Sequence, residues 1–69
     1  MEKLNRIKGA LADAGRTNIW LAEHVGRDPV TVSNWCTNTT QPDLQTLNKI
    51  ATLLRIDIRE LLVGNNQSK

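Results

Sequence analysis

The chain has little of what small proteins use to staple themselves together. Its single cysteine, Cys36, cannot close an internal disulfide, and one histidine, His24, cannot supply the three or four ligands of a zinc site. No apolar run approaches the roughly 18 residues that cross a membrane, and the N-terminus lacks an apolar stretch with a cleavage site. A soluble, cytoplasmic protein with no membrane partner is therefore expected. Two prolines and four glycines in 69 residues exclude a low-complexity linker, and three units of a solenoid repeat do not fit in this length. No nucleophile and base stand together, and the carboxylates read as helix caps and surface charges. No enzyme, cofactor or small-molecule ligand is expected.

What is present suits one small folded domain: 39% apolar residues, 23% charged residues and a formal charge of +2. That charge is compatible with nucleic acid but too weak to argue it alone. The pattern along the chain says more.

From Lys3 to Ala14, Leu4, Ile7, Leu11 and Ala14 recur at three- and four-residue steps, predicting a first helix closed by Gly15. Thr17 caps a second, over about 18–25, whose inner face carries Leu21, Ala22 and Val25 before Gly26. Asp28 and Pro29 open a third almost at once, so the second and third helices are joined by a very short turn. Asp43 caps a fourth helix with an apolar stripe of Leu44, Leu47, Ile50, Ala51 and Leu54. Asp57 and Glu60 have capping-box spacing, and Ile56 with Leu61 staple spacing, so a fifth helix is expected from Ile58. The domain is drawn as 1–64, and 65–69 as a flexible C-terminal tail.

The combination Leu21-Ala22, Gly26, Val32, Trp35, Pro42, Leu47, Ile50-Ala51 and Asp57 to Leu62 resembles the Cro and phage-repressor type of helix-turn-helix domain, often called the XRE family, over roughly residues 5–63. The resemblance implies an all-α, compact five-helix lambda-repressor-like DNA-binding domain. Its recognition helix falls at about 29–38, with Pro29, Val30, Thr31, Ser33 and Asn34 near the bases. Asn18 and the loop Asn38, Thr39, Thr40 and Gln41 fall near the phosphates; Arg27, in the turn beside that helix, and Thr37, on its outer face, are added to them from their positions in the sequence. The partners implied are double-stranded DNA and a second copy of the chain, with Leu62 and Val63 as the place to look for the dimer contact.

Three kinds of departure from the pattern stand out. Relatives carry an arginine where Leu11 stands and a glutamate where Cys36 stands, so an ion pair between the first and third helices is replaced by two apolar groups that are expected to pack together. Asn18 replaces a longer glutamine and has a shorter reach. Asn38 and Arg55 stand where glycine is common, a position asparagine tolerates better than arginine.

At 100° per residue from Val32, Trp35 and Cys36 fall toward the core, and the opposite face centres on Val30 and Asn34. From Pro29 to Pro42 there is no charged residue at all, whereas solvated helix faces are usually rich in lysine and glutamate. Amide, hydroxyl and methyl groups are what major-groove base edges are read with. Phosphate attraction then has to come from the periphery, Lys3, Arg6, Lys8, Arg16 and Arg27, and from backbone N–H groups at the starts of the second and fourth helices. Arg27 reads equally as a contact or a solubilising charge, while Lys3 and Lys8 read as ordinary solubility. Trp20 and His24, four residues apart, form an apolar and titratable spot on the outer surface. With Val30, Trp20 supports a competing reading, a protein-docking module on the same fold; a DNA-binding antitoxin is a further one.

Overall fold

The computed structural model describes residues 3–64, and the expected tail at 65–69 lies outside them. Among the described residues the order is α1 (Ile7–Ala14), α2 (Asn18–Val25), α3 (Pro29–Cys36), α4 (Leu44–Leu54) and a single 3-10 turn, Ile58–Leu61.

Local chemistry explains most of these boundaries. The Thr17 hydroxyl accepts the Trp20 N–H, the Asp28 carboxylate the Thr31 N–H, and the Asp43 carboxylate the Thr46 N–H. Each satisfies a donor that the first helical turn leaves without an acceptor. Gly15 and Gly26 close α1 and α2 in the left-handed region, and Arg55 does the same for α4 at φ 58°. Asp57 and Glu60 form their capping box, yet the element they open is one 3-10 turn. Leu62 turns to extended backbone, so the fifth helix is shorter and tighter than expected.

The core combines a few positions from each element: Ile7 and Leu11 of α1, Leu21, Ala22 and Val25 of α2, Val32, Trp35 and Cys36 of α3, Leu47, Ile50 and Ala51 of α4, and Leu61. Leu11 and Cys36 are both buried members of this cluster.

Two sequence expectations are corrected at the edges of this core. The first helix starts at Ile7, not Lys3, because the preceding segment pairs with the chain's far end: the Arg6 N–H bonds the Leu61 carbonyl at 2.8 Å and the Val63 N–H bonds the Leu4 carbonyl at 3.0 Å. That leaves Leu4 exposed, and Ala14 is exposed as well. Leu44 continues the stripe of α4 in sequence but lies beyond the core, 72% exposed.

Candidate nucleic-acid interface

The third helix is fixed from beneath by Val32 and Trp35, at 0% and 3% exposure, and from above offers only uncharged groups. Pro29 and Ser33 are exposed, Val30 is 70% exposed, and Thr31 and Asn34 are half-buried. All five residues expected to read bases therefore lie on α3 with some surface open. Leaving Val30 in water forgoes part of the about 1.5 kcal/mol that full burial of such a side chain is worth. Arg27, in the turn before α3, lays its guanidinium over the Trp35 ring at 5.7 Å, so its charge sits beside α3.

The helix stops at Cys36, two residues earlier than expected. Asn38 takes a left-handed φ of 61° and the chain turns away. The Thr39 and Thr40 N–H groups fold back onto the Asn34 carbonyl at 2.9 and 3.2 Å, and the Thr37 hydroxyl lies 2.8 Å from that of Thr39. Thr37, Thr39 and Thr40 remain exposed.

Two of the residues expected at the phosphates, the buried Asn38 and the exposed Gln41, hydrogen-bond to other parts of the protein. Asn38 is 7% exposed, and its carboxamide oxygen accepts the Leu4 and Asn5 N–H groups at 2.8 and 2.9 Å. Gln41 accepts from the Asn5 side chain at 2.7 Å and donates to Asn38 at 3.2 Å. Their amides tie the α3–α4 loop to the N-terminal segment. Asn5, buried and bonded also to the Trp35 carbonyl, completes this network. Nothing in the sequence marked Asn5, because its partners in the loop and α3 are distant along the chain.

The starts of the helices differ electrostatically. At α3 and α4 the partial positive charge of the helix end is met by the carboxylates of Asp28 and Asp43, whose own pKa values are lowered by the N–H groups they accept. At α2 the cap is the neutral Thr17 hydroxyl, so the field of the helix end is not cancelled. Asn18 begins that helix, and its side-chain oxygen accepts from the Cys36 thiol at 3.3 Å, joining the start of α2 to the end of α3. Burial pushes the Cys36 thiol up, with Lys8 opposing in part, so this cysteine is an internal donor and not a reactive thiolate.

On the outer side of α2, Trp20 stacks on His24 with ring centroids 4.4 Å apart, and the Arg16 guanidinium lies 4.7 Å from the Trp20 ring. The expected pair is present, but Trp20 is half-buried and packs against the core. Ile19, at 61% exposure, joins Val30 and Leu44 as an aliphatic residue open to solvent in the first turn of a helix. No residues that could group around a metal ion occur among the described ones.

Comparison with known proteins agrees with this geometry. The chain is similar to the solved structure of a "putative DNA-binding protein" from Bacteroides fragilis, with 52% identity and a TM-score of 0.86 over 87% of this chain and 97% of that one. It is also similar to a transcriptional regulator from Listeria innocua, with 25% identity and a TM-score of 0.70 over 90% of this chain and 66% of that one. No curated protein matches it. The family model of the Cro/C1-type HTH DNA-binding domain matches residues 6–67, which take in all four helices and the 3-10 turn. With that match and the 52% identical neighbour, the chain belongs to the Cro/C1-type helix-turn-helix family, a family of DNA-binding domains and not of enzymes.

Proposed function

We propose that the protein is a sequence-specific transcriptional regulator that lays α3 in the major groove of duplex DNA and acts as a repressor by occupying its site. One observation carries the reading: a helix anchored by Val32 and Trp35 that exposes Val30 and Ser33 and leaves Asn34 half-open, with no charge among them. Asn34 is suited to a bidentate bond with adenine, and Val30 or the Thr31 methyl to contact with a thymine methyl, with Pro29 and Ser33 beside them. The uncancelled start of α2 at Asn18, together with Arg27, Thr37, Thr39 and Thr40, would hold the backbone. The buried carboxamide of Asn38 and the engaged one of Gln41 leave those two residues as shapers of the loop.

One such helix spans only a few base pairs, so the functional unit is a homodimer on an inverted repeat. Leu4, Leu62 and Val63 are exposed apolar residues brought together by backbone pairing, and they are its proposed contact. Sedimentation showing only monomer, at high concentration and on DNA, would remove the dimer.

The reading is tested by titrating duplex DNA at physiological salt with the wild type and with Asn34→Ala. The substitution should cost roughly 1–3 kcal/mol on the preferred site and relax preference at one position. Equal loss on every sequence would reassign Asn34 to the phosphates, and no binding by the wild type would favour protein docking.

A further inference from the structure

A groove of about 560 Å³ runs between α1 and the last turn of α3. Among the described residues its lining includes Lys3, Arg6 and Lys8 but no carboxylate, with Cys36 and Thr37 on the α3 side. Arg6 also lines an adjacent cleft, together with Asp13 and Glu60. Lys3 and Lys8 line this groove and not that cleft.

Two further observations say what it accommodates. Gly9 lies inside α1 and lines the groove, although a Cβ at this position would meet nothing within 4 Å. A glycine there weakens the helix relative to alanine without relieving any internal contact, and such a position suits the close approach of something from outside. The groove is also continuous with the surface already assigned to DNA. Thr37 follows Ser33 and Asn34 by one helical turn, and Cys36, beside it, holds the Asn18 side chain at the start of α2.

We infer that this groove seats the sugar-phosphate backbone of the bound duplex, with Lys3 and Lys8 as phosphate contacts and Gly9 giving the backbone room to approach. The inference rests on the DNA-binding reading above and extends its footprint from α2 and α3 onto α1. The two lysines, taken by themselves, are indistinguishable from solubilising charges; the fold brings them together at the end of the recognition helix.

The test uses the full chain and fluorescently labelled duplexes, one preferred and one of random sequence, titrated across about 50 to 200 mM salt. Lys3→Gln and Lys8→Gln should each lower the steepness of log affinity against log salt by about 1, and by the same amount on both duplexes. Lys8→Arg should restore the wild-type slope. Gly9→Leu should leave the thermal midpoint unchanged or raised and yet weaken binding to both duplexes. Unchanged salt slopes for both glutamine variants, in a wild type that binds DNA, would overturn the groove assignment and leave the major-groove reading standing. A wild type that binds no duplex would overturn both.

Discussion

Asn5 and Asn38 hold each other across the fold: the Asn38 carboxamide oxygen accepts the Asn5 N–H at 2.9 Å, and its nitrogen donates to the Asn5 carbonyl at 3.2 Å. The exchange resembles a strand pairing made by one side chain, and it fixes where the chain turns after α3. Asn38→Ala would leave buried backbone groups of Asn5 unpaired and should cost about 2–3 kcal/mol in urea unfolding. Asn38→Gly relieves the left-handed backbone at φ 61° but loses the same bonds, so it should also be destabilised. A glycine variant as stable as wild type would mean that backbone strain, not hydrogen bonding, governs this position.

Arg55 has no such compensation. It closes α4 at φ 58°, where a side chain costs energy and glycine does not. Arg55→Gly should therefore stabilise the domain by about 0.5–1 kcal/mol, measured by thermal or urea unfolding. A loss of stability would show that the arginine side chain makes a contribution exceeding its backbone cost.

Leu11 and Cys36, at 2% and 7% exposure, stand where an arginine and a glutamate would form an ion pair in the relatives this chain resembles. Cys36→Glu alone would bury a charge without its partner and should cost about 3–5 kcal/mol. Adding Leu11→Arg should recover much of that, giving a coupling of about 1–3 kcal/mol in a double-mutant cycle. Additive effects would mean that the two positions do not face one another.

Acid should loosen the helix starts. The pKa values of Asp28, Asp43 and Asp57 are all lowered, chiefly by bonds from the N–H groups and side chains of Thr31, Thr46 and Arg59. Lowered values in the folded state mean that the stabilisation is complete above the unfolded value and is lost as pH falls through the folded one. The thermal midpoint should thus lose this contribution below about pH 4. Replacing all three by asparagine, which also caps helices, should flatten that acid limb. An equally steep fall in the triple variant would locate the acid sensitivity elsewhere.

The parts of this fold that were legible in the sequence are those decided within one helical turn. Thr17, Asp28, Asp43 and Asp57 each cap the helical turn after them because a side chain meets an N–H two or three residues away, whatever the rest of the chain does. Periodicity located the inner face of each helix but not where the core ends. Leu4 and Leu44 fit their stripes and are nevertheless exposed, because one pairs with the far end of the chain and the other overhangs the core. The bonds joining Asn5 to Asn38 and Gln41, like the groove between α1 and α3, depend on contacts between segments far apart in the chain. No local pattern announces such contacts. The uncharged run from Pro29 to Pro42, by contrast, is a local property of the sequence, and the fold leaves Val30 and Ser33 within it exposed.

Selection of bound sequences from a pool of random duplexes tests the central claim most directly. Recovery of an inverted repeat, its half-sites one helical turn apart and each containing an adenine whose preference is lost in Asn34→Ala, is the predicted result. A pool that shows no enrichment after repeated rounds would contradict it.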